Sequence, residues 1–269
     1  MQELYLRDDL ARAWAGREPF AAADALTGEM YRAVARRRTL RFDLGGRSYF
    51  AKVHSGVGVL ELLKNWLVLR RPVVDAENEY RACIHLAARG IVVPGVAAFG
   101  RHGSNPATRR SFLVTDALEA RVSLEEVAEH WIVERPPPAL KRRMIAAVAE
   151  VARRMHDAGV NHRDFYLCHL LADAPALREG RVELAVIDLH RAQLRNATPA
   201  RWRMRDLAAL DFSSHDLKLT RADKARFAAS YTGMSVRDAL GKQRTLWARV
   251  RRRAERLYRK GPGISSSPE

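Results

Sequence analysis

The sequence predicts an α+β fold in two lobes, a small β-rich N-lobe followed by a larger, mainly helical C-lobe. Three observations carry this prediction. Alternating apolar and polar residues crowd into the first 115 positions, around the Gly45-Gly46 turn pair. After Pro136, Pro137 and Pro138 the apolar spacing becomes helical. Within that helical half, only the stretch 181–189 alternates clearly as a strand.

The chain has 269 residues, 47% hydrophobic and 29% charged, which is enough for a proper core and excludes a disordered segment. Two cysteines, Cys83 and Cys168, cannot build a disulfide framework, so a reducing compartment is expected. The opening residues lack an apolar signal region, and no apolar run approaches the roughly 20 residues of a spanning helix. Secreted, collagen-like and membrane-spanning classes are therefore set aside. A net charge of +16, mostly from Arg, points to an anionic partner such as an acidic membrane surface, a phosphorylated substrate or nucleic acid. An Arg-rich coding bias would produce the same excess without function.

Element by element, 29–34 reads as a strand and 39–54 as a β-hairpin whose Gly45-Gly46 loop takes positive φ. Residues 76–89 have helical spacing at Tyr80, Cys83, Ile84 and Ala87 and stop at Gly90. Strands are expected at 91–100 and 111–115, either side of a polar turn. A long helix spans 139–159, apolar at Leu140, Met144, Val148, Val151 and Met155. Further helices are expected at 200–210, 220–232 and 237–258. The resulting division is an N-lobe at 1–115, a hinge at 116–124, a C-lobe at 125–260 and a disordered tail at 261–269.

No phosphate-binding G-x-x-x-x-G-K, nucleophile-elbow G-x-S-x-G or C-x-x-C pattern occurs, and Gly56-Val57-Gly58 lacks the third glycine of a dinucleotide turn. Two acidic segments carry more. His162-Arg163-Asp164 is followed by His169, and Ile187-Asp188-Leu189-His190 ends a strand farther on. In protein kinases, H-R-D precedes a strand ending in D-F-G; the first Asp serves the attacking hydroxyl and the second holds Mg²⁺ on the phosphates. Upstream, Tyr49-Phe50-Ala51-Lys52 matches the strand of the phosphate-binding lysine, and Glu79 lies on the next helix, placed to pair with it. These four elements, in this order and on these secondary structures, predict a protein-kinase-like fold.

The stretches RRRTLRFDLGGRSYFAKVHSGVG, GVNHRDFYLCHLL, VIDLHRAQ and RWRMRDLAAL resemble the lipopolysaccharide core kinases of the Kdo/WaaP family over nearly the whole chain. The resemblance implies Mg²⁺- and ATP-dependent phosphorylation of an inner-core sugar, a heptose, at the cytoplasmic face of the inner membrane of a Gram-negative bacterium. A second heptose or Kdo is an alternative acceptor. Lys52 would contact the nucleotide phosphates with Glu79 as partner. Asp164 would be the base and Asp188 the metal ligand. Backbone groups of Asp116 and Leu118 would meet adenine. Asp206 resembles the buried Asp that braces the catalytic loop, or is a helix N-terminal charge.

Two departures from the general kinase pattern stand out. Arg36, Arg37, Arg38 and Thr39 occupy the place of a glycine-rich loop, where guanidinium groups would neutralise phosphate or remain a solvated turn. His169 replaces the metal-binding Asn; since Mg²⁺ prefers oxygen, its imidazole is expected near phosphate or a metal-bound water as well as the metal itself. For membrane contact, 59–69 (VLELLKNWLVL) reads as an interfacial helix or as core packing. Residues 237–260 hold ten Lys and Arg against Asp238 and Glu255, net +8, suiting an anionic lipid surface, the acceptor or an acidic protein. Acyl carrier protein is the partner the resemblance implies. A nucleic-acid-binding module, with no recognition motif to support it, is the reading from another class.

Overall fold

A computed structural model describes residues 2–34, 37–55, 76–105 and 108–260. The expected interfacial segment 59–69, Arg36 and the tail 261–269 lie outside these residues. Two compact units emerge: Met1–Ala87 with Pro94–Glu119 and Leu189–Arg191, and Ala88–Val93 with Ala120–Asp188 and Ala192–Glu269.

The first unit is built on a six-stranded antiparallel sheet. Its strands are β1 (Gln2–Leu6), β2 (Glu29–Val34), β3 (Arg37–Leu44), β4 (Arg47–Ser55), β5 (Val96–His102) and β6 (Arg110–Asp116), in spatial order β1-β5-β6-β4-β3-β2. Gly45 and Gly46 sit at φ +57° and +75° between the paired Leu44 and Arg47, the two-residue loop whose twist suits a hairpin. Alternation along β4 buries Tyr49, Ala51 and Val53 on one face. Helices α1 (Asp8–Ala13) and α2 (Pro19–Asp24) cover that face with Leu10, Trp14 and Phe20. Phe20 and Trp14 both meet the buried Phe112 edge-on, at 5.1 and 5.7 Å. The other face of β4 presents Phe50, Lys52 and His54, beside α3 (Glu77–Ala87).

In the second unit, β7 (Arg121–Ser123) leads into α4 (Leu124–Val133), which starts with a capping box between Ser123 and Glu126. The 20-residue α5 (Pro138–Asp157) follows. Its last turn closes at Gly159, φ +80°, where a Cβ would lie 1.9 Å from the Arg195 carbonyl oxygen; only glycine fits. That approach pairs β8 (Val160–Asn161) with β11 (Gln193–Leu194). Between them lie β9 (Leu170–Asp173), α6 (Ala174–Arg178) and β10 (Leu184–Val186), in a small sheet of order β10-β9-β7. Helices α7 (Ala200–Ser213), α8 (Arg221–Thr232), α9 (Val236–Lys242) and α10 (Arg244–Arg259) complete the unit, with α8 against α5 and α10 against α7.

Several expected boundaries move. The strand expected at 91–100 begins at Val96, because Val92 instead bridges Ala185 and Pro94 has no N–H for a ladder. The strand expected at 181–189 shrinks to Leu184–Val186, and Asp188 turns to φ +58°. The helix expected at 237–258 is two, broken at Gln243 after Gly241. Among the described residues no helix is long and apolar enough to cross a membrane.

Candidate active site

In the first unit, alternation on β4 aims Lys52 away from the apolar core, and its Nζ meets both carboxylate oxygens of Glu79 on α3, at 2.7 and 2.9 Å. Their side chains are only 16% and 6% exposed, so each charge depends on the other for solvation. Across the ladder Thr39 pairs with Lys52 and Arg37 with His54, which places Arg37, Thr39, Lys52 and His54 on one face. Arg38 points the other way. Its guanidinium donates to the carbonyls of Ala23, Asp24 and Leu26 around the end of α2. The four basic-turn residues therefore divide: Arg37 and Thr39 lie on the lysine's face, Arg38 is committed to the opposite one, and Arg36 is outside the described residues.

His54 is buried, and that burial, with Arg37 and Lys52 adding like charge, pushes its pKa from the ordinary 6.5 down to about 3. Below about pH 6.5 the unfolded chain takes up a proton that the folded one refuses. His54 thus costs stability as pH falls from 6.5 toward 3, by at most about 1.4 kcal/mol per pH unit. Urea unfolding at pH 7.5, 6 and 5 is expected to show His54→Gln with a shallower acid loss than the parent. Equal slopes would remove His54 from the acid sensitivity.

At the expected hinge, the amide of Asp116 donates to Gly95 O at 2.8 Å and that of Ala117 to Ser48 O at 2.9 Å. The Asp116 carboxylate takes a two-pronged pair from Arg7 at 2.7 and 2.8 Å. Arg7 also holds Asp9, whose carboxyl is kept well below the usual range by hydrogen bonding to that guanidinium. Both groups of Asp116 are thus taken up by the fold. The half-buried Leu118 amide meets no acceptor among the described residues.

In the second unit, Asp206 on α7 is fully buried, and its carboxylate accepts the amides of His162 at 2.7 Å and Arg163 at 2.9 Å. This brace holds Arg163 at φ +77°, a conformation that costs a non-glycine residue about 1 kcal/mol or more. The helix N-terminal alternative for Asp206 does not hold, since the residue lies in the middle of α7. His156 on α5 donates from Nε2 to the same carboxylate at 3.2 Å, while its Nδ1 meets the Tyr231 hydroxyl at 2.9 Å. Burial pushes Tyr231 up to about 12, so it keeps its proton.

The loop's other contacts fix imidazole roles. His162 Nε2 donates to Ile187 O at 2.9 Å, leaving Nδ1 to accept the Asp164 amide at 3.3 Å. Burial lowers the pKa of His162, in keeping with this neutral form. His169 Nδ1 donates to the Asp164 carbonyl at 2.6 Å. Its Nε2 then faces Asp188 Oδ2 at 3.5 Å. Asp164, His169 and Asp188 are thereby tied together in this unit, Asp164 through its backbone and Asp188 through its carboxylate. Cys168 beside them is a thiol, raised by burial to about 11, which removes it as a nucleophile near neutral pH. Among the described residues no trio of His, Cys, Asp and Glu is grouped to hold a metal.

Sequence reasoning missed the place of His156 and Tyr231 behind Asp206, which no motif signals, and the tie from Arg7 to Asp116, which spans 109 positions. It also missed α4, although Ser123-Leu124-Glu125-Glu126 announces its capping box.

A lysine paired to a helix glutamate under an antiparallel sheet, and an H-R-D loop braced by a buried Asp in a helical unit, define a kinase-like phosphotransferase. Residues 21–231 match the Lipopolysaccharide kinase (Kdo/WaaP) family, and the chain belongs to it. It is 46% identical, over 95% of its length and 96% of the relative's, to the lipopolysaccharide core heptose(I) kinase WaaP of Pseudomonas aeruginosa. The Escherichia coli K12 protein of the same name is 44% identical over 94% of this chain and 96% of its own length. A solved structure described as WaaP in complex with acyl carrier protein aligns with a TM-score of 0.82 at 43% identity, over 95% of this chain and 99% of that one. The kinase class makes ATP the phosphate donor.

Proposed function

We propose that this chain transfers the γ-phosphate of ATP to heptose I of the lipopolysaccharide inner core. The observation that carries the acceptor is the 46% identity, spread over nearly the full length of both chains, to a heptose(I) kinase. In this reading Lys52, held by Glu79, neutralises the nucleotide phosphates. Arg37 and Thr39 extend that charged face where glycine amides would otherwise lie. The unsatisfied Leu118 amide suits an acceptor nitrogen of adenine, while Asp116 orders the strand end from which Leu118 leaves.

Asp164 takes the proton of the attacking hydroxyl, and its backbone is kept in place by His169 and by the Asp206 brace. The carboxylate of Asp188 would hold a Mg²⁺, with His169, whose Nε2 lies 3.5 Å from it, beside the metal. When bound, Mg²⁺ neutralises charge on the phosphates. The division into an N-lobe at 1–115, a hinge at 116–124 and a C-lobe at 125–260 follows these roles.

Acyl carrier protein is the proposed protein partner, on the precedent of the solved relative. The second unit supports it with a cavity of about 570 Å³ among α4, α5, α7, α8 and α10. Leu207, Leu210, Phe227 and Trp247 line it, with Arg244 and Arg251 among the basic residues that also border it. An apolar chamber with basic neighbours suits an acyl chain carried by an acidic protein. Peripheral attachment at the cytoplasmic face of the inner membrane is proposed from the exposed arginines of α10.

The test is transfer of labelled γ-phosphate to purified core lipopolysaccharide lacking heptose phosphate, followed by mapping of the new phosphate. Label on heptose I is expected. Label on a second heptose or on Kdo would overturn the acceptor, and nucleotide binding without any transfer would do the same.

A further inference from the structure

The brace at Asp206 has a second layer behind it. Its carboxylate takes the His162 amide on Oδ2 at 2.7 Å and the Arg163 amide on Oδ1 at 2.9 Å, so each oxygen serves one amide of the loop. The last torsion of an aspartate is broad, and its rotamer preference alone does not select the orientation that meets both amides. His156 Nε2, 3.2 Å from Oδ2, supplies a third donor that does.

Behind His156 the donors run in one direction. A carboxylate accepts and does not donate, so the His156 proton lies on Nε2, and Nδ1 is left to accept from the Tyr231 hydroxyl 2.9 Å away. The Tyr231 ring is held edge-on by Trp247 at 5.9 Å and stacked on Phe227 at 6.2 Å, and Trp247 is itself fixed by its bond to Ala239 O. The charge of Arg203, on the same helix as Asp206, opposes the rise that burial gives the tyrosine's pKa. That guanidinium is anchored too, donating to Asp157 Oδ1 at 2.9 Å and to the His156 carbonyl at 3.3 Å.

Hydroxyl, imidazole and carboxylate come from α8, α5 and α7, and all three residues are buried. Donors aligned this way polarise one another toward their acceptor. In net stability such a chain gains little over apolar side chains of the same shape. What it supplies is a fixed direction for the Asp206 carboxylate.

We propose that Tyr231 and His156 are positioning residues for phosphate transfer, which through Asp206 hold the loop in the geometry that aims Asp164 at the acceptor hydroxyl. The inference rests on the kinase reading above and deepens it. Arg163 depends on the brace most, because its φ of +77° is one that a non-glycine residue leaves when released. Asp164 is the next residue, so a turned carboxylate at Asp206 displaces the base itself. The chain ends on the loop amides, and its loss therefore falls on the chemical step and not on either KM.

Tyr231→Phe removes the hydroxyl and keeps the ring. Single-turnover transfer at saturating ATP and core lipopolysaccharide is expected to slow about five- to twentyfold, with KM for both substrates within about twofold of the parent. His156→Leu should match or exceed that loss. His156→Gln, whose amide nitrogen reaches the place of Nε2, should recover most of it. Because both residues act through one carboxylate, Tyr231→Phe should cost nothing further in an Asp206→Asn background. Amide hydrogen exchange of peptides covering 160–166 reads the loop without turnover and is expected to speed up in Tyr231→Phe.

Unchanged transfer and unchanged exchange in Tyr231→Phe would reduce the chain to core packing and overturn the proposal. So would a rate loss that adds in full to that of Asp206→Asn, or faster exchange with an undiminished rate. If the parent transfers no phosphate and yet exchange at 160–166 rises in Tyr231→Phe, the kinase reading fails while the hold on the loop stands.

Discussion

Asp164→Asn is expected to lower the rate of γ-phosphate transfer by about 10²–10⁴-fold while leaving ATP affinity within a few-fold. The substitution is nearly isosteric and keeps the backbone carbonyl that accepts from His169 Nδ1 and from the Tyr166 amide. What it removes is the acceptor for the hydroxyl proton. In the proposed mechanism nucleotide affinity rests on other residues: Lys52 with Glu79 and the carboxylate of Asp188. Single-turnover transfer with saturating ATP reads the chemical step directly. A rate within threefold of the parent would exclude Asp164 as the base.

Removal of the Asp206 carboxylate should have the largest effect on stability. Asp206→Ala leaves the amides of His162 and Arg163, and Nε2 of His156, without their acceptor in a fully buried place. Each unsatisfied group costs about 1–3 kcal/mol, so a loss of about 3–5 kcal/mol is expected. With the brace gone, Arg163 has nothing to hold it at positive φ, and the loop carrying Asp164 relaxes. Activity should therefore fall even at temperatures where the variant stays folded. Asp206→Asn separates the two effects: it keeps the volume, but its amide nitrogen opposes a donor. Denaturant unfolding and transfer rates measured on both variants would check this. A stability change under 1 kcal/mol in Asp206→Ala would show that the two amides find other partners.

Part of the site was legible in the sequence because it is local. An H-R-D triplet after a helix, an acidic residue closing a strand, and a lysine two residues after Tyr49-Phe50 on an alternating strand are short-range patterns. The pairing of Lys52 with Glu79 needed only a strand, the next helix and opposite charges. Other parts failed for a common reason. Residues 36–39 read as a basic turn, whose guanidinium groups would neutralise phosphate or remain solvated. In the structure β3 already begins at Arg37, so alternation sends Arg38 to the α2 carbonyls and Arg37 toward His54. Starting the strand two residues earlier than expected, at Arg37 in place of Thr39, settles which cation serves which face.

The strand expected at 181–189 illustrates a second limit. Its apolar alternation continues to Leu189, but its neighbour β9 is only four residues long. With no ladder left, Ile187 instead gives its amide to His169 O, and Asp188 turns to positive φ facing His169. Likewise the single helix expected at 237–258 breaks at Gln243, where Trp247 Nε1 reaches back to Ala239 O across the kink.

By itself the sequence determined the kinase class and part of the order of elements, and it nominated Lys52, Glu79, Asp164 and Asp188, because these depend on periodicity and on residue types at short spacing. Only the tertiary structure decided that Asp206 holds the catalytic loop from 42 positions beyond Asp164. It alone placed His156 and Tyr231 behind that carboxylate. Those arrangements join helices and loops far apart in the chain, where direction in space, and not spacing along the sequence, sets which groups meet.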